Sequence, residues 1–179
     1  MKQRDDWHLT EALHYEHGRA DPFAAAVRAT RMPMVITDPA QPDNPIVFCN
    51  ESFQTLTGYT LDEILGRNCR FLQGPDTDPL QVARIRQAIE KGESVDVDLL
   101  NYRKDGSTFW NALYVSPVRN DEGEIRFFFA SQLDVTDRVE AQKVIAEQRH
   151  QVQQEIERRT HDLKMALEEK TLLLHEVDH

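Results

Sequence analysis

From Ser94 onward the hydrophobic pattern of this chain repeats every two residues, where the stretch before it repeats at helical spacing. A period of two is the mark of an extended strand with one buried face. Val95, Val97 and Leu99 point one way, and Asn101 shares their face. Lys104-Asp105-Gly106 is a turn, after which Phe109, Asn111, Leu113 and Val115 share a face. Asn120-Asp121-Glu122-Gly123 is a second turn, and Phe128, Ala130 and Gln132 share a face beyond it. Turns this short join antiparallel neighbours, because a parallel pair needs a long crossover.

The pattern also predicts a register. A first hairpin centred near Gly106 sets Asn101 opposite Asn111, and a second centred between Asp121 and Glu122 sets Asn111 opposite Gln132. Directly opposed residues point to the same side of a sheet. Three amides then stand on a face that is otherwise apolar. Leaving one buried amide unpaired costs about 1–3 kcal/mol. The row therefore either meets a ligand with several donors and acceptors along one edge, as a flavin ring has, or pairs with itself or with water.

Met34–Thr37 reads as a strand, a proline-rich loop follows, and Ile46–Cys49 reads as a second strand. The loop is too short for a crossover helix, so these two strands form an antiparallel pair. Asn50 opens a helical stretch through Phe53 and Leu56 that Gly58 closes, and Leu61–Leu65 is another helical turn closed by Gly66. Asp78-Pro79-Leu80-Gln81 is a helix start, with Asp78 as cap, Pro79 in the first turn and Gln81 placed to complete a capping box. Val82, Ile85 and Ile89 then share a face until Gly92. Upstream, Asp21-Pro22 starts a short helix over Phe23–Thr30. Residues 1–21 read as a partly helical cap; a metal site at His8, His14 and His17 lacks a completing carboxylate or cysteine at suitable spacing.

Between the helical turns lies Gly66-Arg67-Asn68-Cys69-Arg70-Phe71-Leu72-Gln73. It sets one thiol between an amide and a guanidinium, donors suited to a polar or anionic ligand. This string resembles the flavin-binding signature of the light-oxygen-voltage (LOV) photoreceptors, a subclass of the PAS fold. The resemblance extends over residues 22–136 and includes Met34–Asn44, Asn50–Tyr59, Asn101–Gly106, Phe109-Trp110-Asn111 and Gln132-Leu133-Asp134. It implies an α+β fold: a five-stranded antiparallel sheet with short helices closing over FMN, followed here by a long C-terminal helix. It makes Cys69 the thiol that bonds reversibly to the flavin after blue light. Asn68, Arg70, Gln73 and Arg86 fit the ribityl-phosphate and ring contacts, and Asn101, Asn111 and Gln132 fit the ring edge. Val35, Thr37, Asn44, Leu72, Val82, Ile85, Ile89, Leu113, Val115 and Phe128 would line the pocket. Gln132 would relay the signal by rotating its amide, which can both donate and accept.

Val139–Val177 contains neither proline nor glycine. Heptad a positions fall at Gln142, Arg149, Ile156, Leu163, Lys170 and Val177, and d positions at Ile145, Val152, Arg159, Ala166 and Leu173. Seven of these eleven are apolar, an interrupted coiled-coil seam. The seam predicts a parallel homodimer through this helix; the alternative is one amphipathic helix folded back on the sheet. Lys170–His179 resembles the start of the dimerisation helix of HWE/HisKA2 sensor histidine kinases, with His179 as phosphoacceptor. That resemblance implies a response regulator as partner. No ATP-binding segment follows His179, so the chain reads as a truncated piece of a light-regulated kinase. The other readings are a short natural LOV protein without kinase output and a flavin redox protein, for which no nicotinamide motif or substrate base is visible.

The expected organisation is thus a cap at 1–21, a LOV domain at 22–136, and a coiled-coil linker with the start of the kinase helix at 137–179. Thirty-one acidic against 21 basic side chains, a formal charge of −10, argue against a nucleic-acid partner. No apolar run is long enough for a membrane span. The two cysteines, Cys49 and Cys69, have no metal-type spacing, so a reduced, cytoplasmic chain without metal is expected.

Overall fold

The computed structural model describes residues 29–177. The N-terminal cap, most of the helix expected at Phe23–Thr30, and His179 lie outside the described residues. The chain divides into two units, one ending at Thr136 and one starting at Asp137.

The first unit is built on a five-stranded antiparallel sheet, β1 Met34–Thr37, β2 Ile46–Cys49, β3 Val95–Tyr102, β4 Thr108–Arg119 and β5 Ile125–Asp134. The strand order is β2-β1-β5-β4-β3, so the first hairpin docks on the last strand. Helices α1 Glu51–Thr57, α2 Leu61–Ile64 and α3 Pro79–Lys91, with a 3-10 turn at Cys69–Leu72, fill the long connection between β2 and β3.

Each of these elements has a local cause. Asn50 caps α1 by accepting from the Phe53 N–H, and Gly58 ends it in the left-handed region that a side chain rarely enters. Asp78 caps α3 by accepting from the Leu80 N–H, with Pro79 in the first turn. Gln81 does not complete the capping box, because its Oε1 accepts from Arg84 Nη1 at 2.9 Å instead. The thiol-bearing segment is tied to the sheet edge at Ile46, whose N–H donates to the Arg67 carbonyl and whose carbonyl accepts from the Gly66 N–H.

The expected register is corrected by two residues in both hairpins. Asn101 lies opposite Phe109 and Asn111 opposite Leu99. Gln132 lies opposite Leu113, and Asn111 opposite Asp134. In the first hairpin Arg103–Ser107 form the loop, held by the Arg103 N–H to Ser107 carbonyl bond, so its centre falls at Asp105. In the second, the loop closed by the Asn120 N–H to Glu124 carbonyl bond is centred on Glu122, one residue's worth of the shift, and a bulge between Val118 and Arg119 adds the other. A slip of two preserves the face, because side chains alternate with period two. The three amides therefore keep their common side but meet diagonally.

The core lies between that side and the short helices, with Val35, Ile46, Phe53, Ile64, Leu72, Val115 and Phe128 fully buried or nearly so. The second unit is helical: α4, Thr136–Val177, starts at the last residue of the first unit and has no buried residue. Among the described residues no helix is long and apolar enough to cross a membrane.

Candidate functional site

A cavity opens between the inner face of the sheet, α3 and the 3-10 turn. Space unfilled by atoms, its mouth included, amounts to about 720 Å³, and water-sized spheres fit over about 110 Å³ of it.

The lining gathers most of the residues expected from sequence. Thr37, Asn44, Asn68, Cys69, Arg70, Leu72, Gln73, Ile85, Ile89, Asn101, Asn111, Leu113, Val115, Phe128 and Gln132 all face it. Three expected residues do not. Val35 is buried in the core behind it, Val82 sits part-exposed on α3, and Arg86 is exposed on the same helix. Phe53, Leu99 and Ala130 line it without having been expected there. For Leu99 and Ala130 the signal was present, since each shares a strand face with an amide of the row.

The amides are partly paired with one another. Asn111 Nδ2 donates to Asn101 Oδ1 at 2.9 Å, and Asn101 Nδ2 reaches the Leu72 carbonyl at 3.3 Å. That leaves Asn111 Oδ1 and Gln132 Oε1 buried with no partner, and Thr37 Oγ1 and Asn44 Oδ1 share that condition. All four orphaned atoms belong to residues that line this cavity. Native chains leave few buried polar atoms unpaired, so four around one space mark where a polar ligand belongs. Asn68 is different. Its Oδ1 caps the 3-10 turn by accepting from the Arg70 N–H at 2.9 Å, and its Nδ2 donates to the Asp43 carbonyl at 2.7 Å.

Cys69 opens the 3-10 turn and is part-buried at the cavity wall. Burial pushes its thiol up to about 12, against weaker lowering by its backbone hydrogen bond and by Arg70. The thiol is therefore protonated at neutral pH. Cys49, buried in the core, is pushed up to about 12 by burial as well, but it does not line the cavity. Among the described residues no carboxylate, histidine or lysine lines the cavity.

At the end of β5, Asp134 gathers two neighbours. Its Oδ2 accepts from Arg103 Nη2 at 2.9 Å and its Oδ1 from the Thr136 N–H at 3.0 Å. Trp110 N–H donates to Thr136 Oγ1 at 3.0 Å, so the first residue of α4 is bonded to β4. Gln132 thus stands two residues from a hydrogen-bonded junction at the exit of the domain.

Comparison with known proteins agrees with this geometry. Residues 31–137 match the PAS domain family. The blue-light-activated histidine kinase of Brucella anthropi is 60% identical over 117 residues, 65% of this chain and 24% of that protein. That of Brucella ovis is 57% identical over 116 residues, again 65% and 24%. The chain thus spans about a quarter of the length of the curated relatives it matches. A light-oxygen-voltage domain studied with a flavin analogue superposes with a TM-score of 0.63 at 45% identity, covering 73% of this chain and 97% of that one. The dark structure of the blue-light photoreceptor Aureochrome1 LOV gives 0.61 at 47% identity, covering 73% and 94%. With the family matched across most of the first unit and the sheet, thiol and amide row in place, the chain belongs to the PAS domain family, in its light-oxygen-voltage branch.

Proposed function

We propose that this chain is the sensor part of a blue-light-activated protein histidine kinase, with FMN held in the cavity described above. The observation that carries the reading is that four orphaned buried polar atoms surround one largely apolar space with a thiol in its wall. Three of the four are amide oxygens, and rotation of an amide lets such a side chain meet either a donor or an acceptor on the ligand edge. Leu72, Ile85, Ile89, Leu113, Val115 and Phe128 offer apolar walls for a flat ring. Arg70, at the cavity, is the guanidinium suited to a terminal phosphate. Arg86 stands outside the lining, and its part in phosphate binding rests on the sequence match alone.

When bound, a flavin supplies absorption of blue light and, once excited, a ring carbon that sulfur can attack. Cys69 holds its proton on Sγ until then, because burial opposes the thiolate. Among the described residues no carboxylate, histidine or lysine lines the cavity, so a bound flavin would itself have to take up the proton that Sγ gives up. Gln132 would answer that proton by turning its amide from donor to acceptor. Its strand then passes the change to Asp134 and Thr136 through the backbone, and so to the start of α4.

In this reading α4 pairs in parallel with that of a second copy, His179 accepts phosphate, a response regulator receives it, and the receptor works in the cytoplasm. The side chains of Ile145, Val152, Ile156, Leu163 and Leu173 along the expected seam are all exposed in the single chain, and pairing would remove them from water. The test is to purify the full chain, release its chromophore by denaturation and identify it by chromatography against FMN, FAD and riboflavin. FMN is expected. Release of FAD would overturn the choice of flavin, and a colourless chain that takes up no flavin would overturn the whole reading.

A further inference from the structure

The guanidinium that the binding scheme gives to a phosphate already has a partner in the protein. Arg70 meets Asp43 with both arms of its fork, Nη1 to Oδ2 at 2.6 Å and Nη2 to Oδ1 at 2.7 Å. Arg70 lines the cavity and Asp43 does not. Asp43 is held in place from two sides, since its backbone carbonyl also accepts from Asn68 Nδ2. Asp43 and Asn44 both have positive φ, 67° and 46°, a region that non-glycine residues seldom occupy. From this turn the carboxylate meets the guanidinium, both side chains being exposed.

A carboxylate and a phosphate recognise the same planar pair of N–H donors. A ligand phosphate approaching Arg70 finds those donors occupied, beside a carboxylate of its own sign. The hydrogen bonds from Arg70 hold the Asp43 carboxyl below its ordinary range, so the competitor is ionised at neutral pH. We propose that Asp43 is a specificity-determining residue that competes with the ligand phosphate for Arg70 and so limits the preference for FMN over riboflavin. This rests on the reading of the cavity as a flavin site. Asp43 sets how readily a phosphate-bearing flavin displaces a phosphate-free one, and how much ionic strength matters to that choice.

The test is a competition. The full chain is stripped of chromophore and refilled from an equimolar mixture of FMN and riboflavin, and the bound ratio is read by chromatography. Wild type, Asp43→Asn, Arg70→Gln and the double variant are compared at low and high salt. Asp43→Asn keeps the size of the side chain and removes its charge. It should raise the bound FMN-to-riboflavin ratio roughly three- to tenfold at low salt, and less at high salt, where exposed charges are screened. Arg70→Gln should lower the ratio, and adding Asp43→Asn to it should change little. An Asp43→Asn ratio that stays or falls overturns the proposal, whatever happens to either affinity alone. So does an equal gain on the Arg70→Gln background, which would be a general field effect without competition. A wild-type chain that takes neither flavin refutes the flavin reading itself; one that takes both, with a ratio indifferent to Asp43, refutes only this inference.

Discussion

Replacing Gln132 by leucine should move the stability of the empty and the filled chain in opposite directions. Gln132 is buried, and its Oε1 has no hydrogen-bond partner within the protein. In a chain stripped of flavin that oxygen carries a desolvation penalty of about 1–3 kcal/mol. Leucine has nearly the same volume and no polar atom, so the substitution should stabilise the empty chain, or at least cost it nothing. One kcal/mol corresponds to about 2–4 °C in Tm for a chain of this size. With flavin bound, the same change removes a hydrogen bond and leaves a polar ring atom facing a methyl group. A loss of about 1–3 kcal/mol in binding is a fall in affinity of roughly 5- to 150-fold. The assay is thermal denaturation of the empty protein together with flavin titration of wild type and variant. An empty variant that melts lower, combined with unchanged flavin affinity, would refute the claim that the orphaned amide belongs to a ligand.

Other outcomes follow from the same geometry. Burial holds Cys49 and Cys69 at about 12 against an ordinary value of 9.0, so the folded chain keeps protons that the unfolded chain releases. Their contribution to the stability of the empty chain is complete below about pH 9 and is lost towards pH 12, at up to about 1.4 kcal/mol per pH unit for each thiol. Cys49→Ala should flatten that decline in denaturant titrations, and an unchanged slope would count against the burial argument. Arg103 binds Asp134 and the carbonyls of Leu56 and Thr108, whereas Lys104 makes an exposed pair with Glu63. Arg103→Met should therefore lower the denaturation midpoint clearly more than Lys104→Met, and the reverse order would contradict the assignment of Arg103 as the link at the domain exit. Ile156→Asp, on the expected seam and exposed in the single chain, should leave the first unit's spectrum and melting intact while shifting sedimentation from dimer to monomer. A dimer of unchanged strength would place the interface elsewhere, and so would one that survives truncation near Val139.

The strands were legible because period-two patterning and turn chemistry act over a few residues. The pattern Phe109, Asn111, Leu113, Val115 gives the buried face directly, and β1 and β2 fall where the apolar runs place them. Register was less legible, because it depends on which loop residues bond across the turn and on a bulge at Val118 and Arg119. The error of two residues left the site intact only because two is the period of the strand. Helix faces were harder still. Val82, Ile85 and Ile89 share a stripe, yet only the last two reach the cavity, because a stripe fixes a side of the helix and not the depth at which each residue meets its neighbour. Phe53 and Asp43 were missed for another reason. Phe53 reaches the cavity through packing of α1 against the sheet, and Asp43 reaches Arg70 across 27 residues of chain, and no local signal carries either contact.

The central claim is that Cys69 is the thiol through which light acts, and a light-minus-dark visible spectrum of three purified proteins, each spanning residues 1–179, tests it. Wild type and Cys49→Ala should bleach under blue light and recover in the dark, because Cys49 lies in the core away from the cavity lining. Cys69→Ala should bind flavin, show the same dark spectrum and fail to bleach reversibly. If Cys69→Ala still bleaches and recovers while Cys49→Ala does not, the wrong thiol has been placed at the centre of the site.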